Sequence, residues 1–303
     1  MAYNLENRLV IGVSSRALFD LTRENEIFEQ DGVEAYSKYQ IANETNILKP
    51  GPGFALVKAL LNLNKLPGHE NRVEVIVMSR NSADTSLRVF NSIAHYGLDI
   101  SRAVLASGAS LAPYLAAFKT DLFLSAYEDD VQGAIDSNIA AGIICSDGIH
   151  TYDTDMEIPQ IRIAFDGDAV LFGDESEQIF QTEGLEAFEK YERDKADNPL
   201  PEGPFARFLK TISEIQMEFA PEKAPIRTAL VTARSAPAHE RVIRTLRAWN
   251  VRIDEAFFLG GVSKKEILAA FGAHIFFDDQ LLHTLPASEV VPAARVPGRS
   301  QKN

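Results

Sequence analysis

The sequence is poor in the residues that build disulfide frameworks and thiolate metal sites. Its 303 residues include one cysteine, Cys145, and only six histidines. A single cysteine cannot form an intramolecular disulfide, and the scattered histidines show no metal-ligand spacing with it. A disulfide-stapled secreted fold is therefore excluded, and a structural zinc site is disfavoured.

Long apolar runs and basic runs are also missing. The only apolar stretch near the N-terminus, Leu9 to Val13, is far shorter than a signal-peptide core or a membrane span. Asp and Glu outnumber Lys and Arg by 43 to 30, and the formal net charge is −13. Such a balance repels the phosphate backbone of nucleic acids. We therefore expect a cytoplasmic protein that binds neither nucleic acid nor membrane.

Two common catalytic motifs are absent as well, namely G-x-S-x-G and G-x-x-x-x-G-K-[ST]. Serine acyl-transfer sites and P-loop sites therefore have no support. The remaining composition is that of an ordinary globular protein, with 46% hydrophobic and 24% charged residues. At roughly 150 residues per domain, the length allows one large domain or two ordinary ones.

The most informative feature of the sequence is an internal repeat. Residues 86–125 run parallel to residues 239–278. Within them Gly108, Phe118 and Phe123 each find the same residue type 153 positions later. Matched glycines and aromatics at one separation are not expected from generic helix and strand patterns alone.

The repeat extends over most of the chain. EIFEQDGVEAYSKY at 26–39 parallels QIFQTEGLEAFEKY at 178–191, at a separation of 152. We therefore predict two tandem copies of one domain, residues 1–150 and residues 151–303. The boundary is expected in the turn-forming and acidic stretch 146–158.

Short apolar runs alternate with amphipathic helical segments in each copy. The runs are LVIGV, VEVIVM, AVLA, DLFLS and AAGIIC in the first copy, and IRIAF, TALVT, AFFLG, HIFFD and AARV in the second. Buried strands of this length joined by helices are typical of a parallel sheet with helices on both faces. We predict an α/β fold with two Rossmann-type parallel-sheet units and with ligands at the carboxyl ends of the strands.

Polar residues follow the apolar runs of the second copy. In chain order they are Asp166 and Asp168, then Thr232, Ala233 and Arg234, then Lys264 and Lys265, then Asp278 and Asp279. Carboxylates that meet at one sheet edge repel each other unless a cation lies among them, and their hard oxygens favour Mg²⁺. A cation, a lysine and a hydroxyl can hold phosphoryl oxygens while a carboxylate attacks phosphorus. The pattern indicates phosphoryl transfer.

The order Asp-x-Asp, Thr, Lys, Asp-Asp resembles the motif sequence of the haloacid dehalogenase-like superfamily. The residues around these motifs are similar to those of the cytosolic 5'-nucleotidase I family. The similar segments are FDGDAVLFGDESE at 165–177, LVTARSA at 230–236, FLGGVSKKEIL at 258–268 and HIFFDDQ at 274–280. The resemblance implies a haloacid dehalogenase-like fold. It also implies Mg²⁺-dependent hydrolysis of nucleoside 5'-monophosphates, AMP above all, to nucleoside and phosphate.

The resemblance also implies roles for individual residues. Asp166 would be the nucleophile that forms an aspartyl-phosphate, and Asp168 the general acid and then the base. Lys264 would neutralise the phosphoryl oxygens, with Lys265 as the alternative. The implied substrate-binding set is Thr232, Ala233, Arg234 and Lys264.

The metal ligands follow from the same resemblance. Mg²⁺ would be held by the Asp166 carboxylate, by the backbone carbonyl of Asp168, and by Asp278 or Asp279. The sequence does not choose between these last two.

A helical cap is implied for residues from about 175 to 221, where it would close over the site and exclude water. Aromatic residues in this stretch are candidates for stacking a purine, although aromatics at helical spacing are more often core. They are Phe180, Phe188, Tyr191, Phe205 and Phe208.

The first copy lacks the acids and the lysine. At a separation of 153, Val13 and Ser15 match Asp166 and Asp168, and Leu111 matches Lys264. We therefore expect Mg²⁺ and chemistry in the second copy alone. The first copy either binds an anion or a nucleotide or packs on its twin and shapes the pocket.

Two other functions stay open at this point. One is a phosphatase of the same superfamily that acts on a sugar phosphate or another small monoester. The other is a non-catalytic nucleotide-binding or scaffold protein, which the complete motif set of the second copy argues against. The sequence leaves base selectivity open, and a homo-oligomer as well.

Overall fold

The computed structural model describes residues 4–145 and 158–300. The chain divides into two compact units, Met1–Ile158 and Pro159–Asn303. The domain boundary predicted between residues 150 and 151 lies outside the described residues. Among the described helices, none combines the length and the apolar character that crossing a bilayer requires.

The described part of the first unit holds a sheet in the order β3-β2-β1-β4-β5, with neighbouring strands parallel. The strands are β1 (Leu9–Val13), β2 (Val73–Ser79), β3 (Arg102–Leu105), β4 (Leu122–Ser125) and β5 (Ala140–Ile144). The helices are α1 (Ser15–Leu18), α2 (Thr22–Ala42), α3 (Phe54–Asn62), α4 (Leu87–His95), α5 (Ala112–Ala117) and α6 (Glu128–Asp136).

The second unit has the same strand order, β8-β7-β6-β9-β10, again with parallel neighbours. Its strands are β6 (Ile161–Phe165), β7 (Ile226–Thr232), β8 (Glu255–Phe258), β9 (Ile275–Asp278) and β10 (Ala293–Arg295). Its helices are α7 (Glu175–Glu183), α8 (Leu185–Asp194), α9 (Ala206–Met217), α10 (His239–Ala248), α11 (Lys265–Phe271) and α12 (Leu281–Ser288).

Each of the ten apolar runs forms a strand, so the predicted parallel α/β architecture is confirmed. The strands β1, β2 and β4 are buried along their whole length. This is the reason for their unbroken apolar sequences, because helices on both faces of a parallel sheet leave neither side to water.

The two units share close backbone contacts as well as strand order. The N–H of Gly51 donates to Leu18 O at 2.9 Å, and the N–H of Gly203 donates to Leu171 O at 2.9 Å. A Cβ at either glycine would collide with the backbone of the turn that follows the first strand of the unit. Glycine is required there because the two chain segments approach too closely for any side chain.

An ion pair joins the same two strands in each unit, with its charges reversed. Arg102 Nη1 lies 2.5 Å from Glu74 Oε1 between β2 and β3. Arg227 Nε lies 2.7 Å from Glu255 Oε1 between β7 and β8. The attraction depends on opposite charges and not on which strand carries which, so the exchange preserves the pairing.

The ends of the first strands align differently from the sequence prediction. The N–H of Ser14 donates to Leu124 O at 2.8 Å, and the N–H of Asp166 donates to Phe277 O at 2.8 Å. Ser14 is therefore the counterpart of Asp166. The predicted match to Val13 is wrong, because Val13 is still inside the β1 strand.

The second unit contains one extra residue just beyond this point. The Phe19 N–H bonds to the carbonyl of Ser15, four residues earlier, whereas the Phe172 N–H bonds to the carbonyl of Gly167, five residues earlier. The longer span makes a π turn, which is how a helical turn absorbs one inserted residue. Ala169, with φ 59°, takes up the insertion.

The insertion also shifts the match of Asp168. Arg16 follows Ser15 in the first unit, and Asp168 follows Gly167 in the second. The predicted match of Ser15 to Asp168 is therefore wrong by one position. Where the second unit carries an acid, the first unit carries a cation.

The segment predicted as a cap is divided between two environments. The helices α7 and α8 meet at Gly184, whose φ of 85° lets the chain turn between them. The helix α9 is instead part of the core, where the rings of Phe205 and Phe208 each lie 6.2 Å from the ring of Phe165 in β6. Both rings are fully buried, which removes them from the candidates for purine stacking.

Candidate active site

The site lies at the carboxyl ends of three adjacent strands. The strand β6 lies between β7 and β9, so Asp166, Thr232 and Asp278 reach the same edge of the sheet. All three are buried, at 5%, 1% and 0% exposure. Their side chains are polar at the end of an apolar strand, which is where open parallel sheets bind ligands.

Lys264 holds the two carboxylates together from the N-terminal end of α11. Its Nζ lies 2.7 Å from Asp166 Oδ1 and 2.6 Å from Asp278 Oδ2. Burial opposes the charge of Lys264, but the two carboxylates outweigh it and raise the lysine pKa. Lys265 lies outside this cluster and pairs with Glu289 at 2.5 Å. The structure therefore brings Lys264, and not Lys265, to the acids.

Three carboxylates form an oxygen cluster at this edge. Asp166, Asp278 and Asp279 each place one oxygen within 4.8 Å of the others. Burial, followed by repulsion from the other two carboxylates, raises the pKa of Asp279 to about 8. Burial also raises the pKa of Asp166, although Lys264 opposes the shift. Ionising all three groups is unfavourable unless a positive charge enters the cluster.

Asp278 stays ionised for a separate reason. Burial works against its charge, but a hydrogen bond from His283 and the charge of Lys264 outweigh burial and lower its pKa. His283 Nδ1 lies 3.2 Å from each oxygen of the carboxylate. His283 is five residues further along the chain, and no motif in the sequence pointed to it.

The donor set fits a divalent cation. Carboxylate oxygens are hard ligands, and three of them lie within reach of one ion. The raised pKa values of Asp166 and Asp279 are consistent with a site that a positive charge would stabilise. Asp278 and Asp279 both belong to the cluster, so the geometry admits either as the second carboxylate ligand.

Thr232 lies close to Gly167, in the loop that follows Asp166. Its Oγ1 accepts a hydrogen bond from the Arg234 N–H at 3.2 Å, which leaves the hydroxyl hydrogen free to donate. A Cβ on Gly167 would lie 3.2 Å from that oxygen, so the small residue allows this approach. Ala233 is exposed between Thr232 and Arg234.

The guanidinium of Arg234 faces carboxylates on both sides. It donates to both oxygens of Asp168, at 2.8 and 2.6 Å, and to Glu192 Oε2 at 2.6 Å. Arg234 is 4% exposed. Arg234 thus orients Asp168, and its predicted role in substrate binding stays a prediction.

Comparison with known proteins assigns the sequence of this chain to a family. The model of a family described as 5'-nucleotidase matches residues 1–303. The chain belongs to the 5'-nucleotidase family. Cytosolic 5'-nucleotidase 1B of Homo sapiens is 41% identical over 288 residues, which are 92% of this chain and 47% of the relative. The chain thus spans about half the length of this curated relative.

A solved structure of a Pseudomonas aeruginosa UCBPP-PA14 protein, assigned to the universal stress proteins, covers 96% of this 5'-nucleotidase-family chain and 94% of its own. Its sequence identity is 10% and its TM-score is 0.34. A likeness this low carries no argument about fold or function.

The ion network of this family member continues from Glu192 to Arg241. Arg241 Nη1 donates to Glu192 Oε1 at 3.0 Å, so Glu192 lies between Arg234 and Arg241. Arg241 Nη2 reaches Glu175 at 3.0 Å. Sequence patterns did not point to Glu192 and Arg241, because each belongs to an amphipathic helix, where a charged residue ordinarily faces solvent.

Proposed function

We propose that this chain is a Mg²⁺-dependent 5'-nucleotidase that hydrolyses nucleoside 5'-monophosphates to nucleoside and phosphate. One observation carries the proposal, namely the buried Lys264 between Asp166 and Asp278 beside a third carboxylate at the sheet edge. Family membership and the name of the human relative support the same reaction class. The preference for AMP follows from the family resemblance of the motifs.

In the first step Asp166 attacks the phosphorus atom. A bond forms between its carboxylate oxygen and phosphorus, the bond from phosphorus to the ribose O5' breaks, and Asp168 gives a proton to O5'. The Lys264 ammonium and the Thr232 hydroxyl donate to the phosphoryl oxygens, where negative charge accumulates. The free nucleoside and an aspartyl-phosphate result.

In the second step water attacks the phosphorus of the aspartyl-phosphate. Asp168, now a carboxylate, accepts a proton from the water, and the bond between phosphorus and the Asp166 oxygen breaks. Inorganic phosphate leaves, and Asp166 and Asp168 return to their initial states. Arg234 keeps the Asp168 side chain in one orientation, both as the protonated acid of the first step and as the carboxylate of the second.

The ligands proposed for Mg²⁺ are the Asp166 carboxylate, the Asp168 backbone carbonyl, and the carboxylate of Asp278 or Asp279. The cation would supply positive charge that lets the acidic cluster accept a phosphate dianion. A cytoplasmic location is proposed from the word "cytosolic" in the name of the human relative.

We also propose that the chain arose by tandem duplication and that α7 and α8 act as the cap. The shared strand order and the matched Gly51 and Gly203 contacts support the duplication. The hydrogen-bonded path from Asp168 through Arg234 to Glu192 in α8 supports a role for these helices at the site. Exclusion of water by such helices would favour transfer to and from Asp166.

The decisive experiment is a phosphate-release assay with a panel of monophosphates and Mg²⁺. Nucleoside 5'-monophosphates should be hydrolysed faster than 3'-monophosphates and sugar phosphates, and Asp166→Asn should abolish release. Preference for a sugar phosphate would instead identify a phosphatase of another small monoester. No release with any compound would favour a non-catalytic nucleotide-binding protein.

A further inference from the structure

The first unit contains a cavity at the same edge of its sheet as the acidic site of the second unit. Its volume is about 410 Å³, within the roughly 300–1,000 Å³ of small-molecule sites. Lining residues follow four strands, with Arg16 after β1, Ser82 after β2, Gly108 after β3 and Tyr127 after β4. Such a crevice outside the carboxyl ends of parallel strands is where these sheets hold ligands.

One wall of the cavity is aromatic. The helix α2 contributes Phe28 and Tyr36, whose rings meet edge to face with centroids 5.9 Å apart. Phe28 is 46% exposed and Tyr127 is 40% exposed, although both are large apolar rings. Exposed rings beside a concave space favour a planar ring that covers them, because stacking removes apolar surface from water.

The charge in the cavity is that of Arg16. Arg80 is paired with Asp130 at 2.6 Å, and Glu24 is paired with Arg88 at 2.5 Å, so each of these lining charges is already balanced. Arg16 has no ion pair within the described residues, and its guanidinium lies 5.4 Å from the centre of the Tyr127 ring. The cavity thus offers a cation next to aromatic faces.

Arg16 stands at the position that Asp168 occupies in the second unit. The counterpart of Asp166 is Ser14, and the counterparts of Asp278 and Asp279 are Ser125 and Ala126. Among the described residues, the serines and the alanine that replace Asp166, Asp278 and Asp279 offer no carboxylate nucleophile and no carboxylate ligand for a divalent cation. An anion would meet the arginine directly, and it would be bound and not hydrolysed.

We propose that this cavity binds a compound that combines a planar ring with an anionic group, the class to which nucleoside monophosphates belong. The ring lies against Phe28 and Tyr36, and the anion pairs with Arg16. The hydroxyls of Ser82 and Thr85, which lie 3.2 Å apart, are available to polar groups between the two ends.

Calorimetric titration of AMP into the Asp166→Asn chain tests the inference, because that background does not consume the probe. Two equivalents should bind per chain. Arg16→Glu in the same background should remove one of them, and Phe28→Ala should weaken the same one at least tenfold. Arg23→Ala is the matched control, since Arg23 is an exposed arginine of α2 that pairs with Glu26 and does not line the cavity.

Adenosine and inorganic phosphate separate the two halves of the proposed ligand. Each should bind the Arg16-dependent site at least tenfold more weakly than AMP does. The inference would be overturned if a single equivalent of AMP bound and Arg16→Glu left that binding unchanged. Circular dichroism must show that both variants are folded. A chain that hydrolyses no monophosphate yet binds AMP through Arg16 would contradict the proposed function and support this inference.

Discussion

The guanidinium of Arg234 donates two parallel hydrogen bonds to the carboxylate of Asp168. Nε lies 2.8 Å from Oδ2 and Nη2 lies 2.6 Å from Oδ1. The fork of Arg234 matches the two carboxylate oxygens, so the pair fixes the orientation of Asp168 as well as its distance. Asp168 and Arg234 are 66 residues apart, and each follows the end of a different strand.

The hydrogen bonds of Arg234 also reach the helices proposed as the cap. Arg234 Nη1 bonds to Glu192 in α8 at 2.6 Å, and the Glu192 side chain is fully buried. Glu192 also accepts from Ser176 in α7 at 2.7 Å. Leaving the buried Glu192 carboxylate without Arg234 would cost free energy. Because Arg234 bonds to both Glu192 and Asp168, the position of these helices and the orientation of Asp168 depend on each other.

Arg234→Lys is expected to lower kcat by about 10- to 100-fold while KM changes little. A lysine keeps the charge but makes one contact in place of the fork, so Asp168 loses its fixed orientation. Steady-state kinetics with AMP measures both constants. Arg244→Lys, at an exposed arginine paired with Glu240, is the control and should match the parent. An equal effect of the two substitutions would contradict the positioning role.

Lys264→Ala is expected to lower kcat by about 10²- to 10³-fold, since a buried cation that faces the reacting oxygens is lost. Lys265→Ala, one residue later, removes only a surface pair with Glu289 and should leave kcat within twofold. The comparison uses adjacent lysines of the same helix end. A larger loss at Lys265 than at Lys264 would reassign the phosphate-binding cation.

Asp166→Asn should abolish turnover, because an amide is a poor nucleophile, whereas Asp168→Ala should slow it by about 10²- to 10⁴-fold. Rapid acid quench with labelled substrate should detect an aspartyl-phosphate in the parent chain and none in Asp166→Asn. Hydrolysis by Asp166→Asn above a few per cent of the parental rate would remove Asp166 from its proposed role.

The metal-free chain is expected to lose stability as the pH rises from about 4 to about 8. Burial and the neighbouring carboxylates raise the pKa of Asp279 from 3.8 to about 8. Over this range the folded chain holds a proton that the unfolded chain releases, so the contribution is complete at low pH and disappears as the pH passes the folded pKa.

Thermal melts at pH 5 and pH 8, with EDTA or with Mg²⁺, measure this effect. Mg²⁺ should raise the melting temperature more at pH 8 than at pH 5, because its ligands must be deprotonated. Asp279→Asn should reduce the pH dependence of the EDTA-treated protein. Equal stabilisation by Mg²⁺ at both pH values, or full phosphatase activity in excess EDTA, would argue against the metal cluster.

Ser14→Ala should destabilise the fold by about 1 kcal/mol without changing kcat. Ser14 Oγ accepts from the Ala17 N–H at 3.1 Å and so caps α1. Its counterpart Asp166 is proposed to act in chemistry, so the same position has a structural task in one unit and a chemical one in the other. Chemical denaturation and kinetics on one preparation test both halves. A lower kcat than the fraction of unfolded protein explains would contradict the purely structural role of Ser14.

The sequence by itself determined the strands and the inventory of the candidate site. Each apolar run, such as IRIAF before Asp166, became a strand because burial on both faces demands unbroken apolar residues. The residues at the ends of β6, β7 and β9 then had to meet, since adjacent parallel strands end at one edge. These patterns are local, so the sequence alone is enough to recognise them.

Only the tertiary structure decided which of those residues pair with one another. Arg234 follows the strand β7 as a substrate-binding residue would, yet it bonds to Asp168 and to Glu192, which lies 42 residues away. Sequence spacing also matched Val13 and Ser15 to Asp166 and Asp168, whereas the backbone hydrogen bonds select Ser14 and Arg16. A one-residue insertion leaves the hydrophobic pattern nearly unchanged, so only the backbone hydrogen bonds reveal which residues of the two units correspond. The partners of Arg234 depend on distances across the fold, so only the three-dimensional packing identifies them.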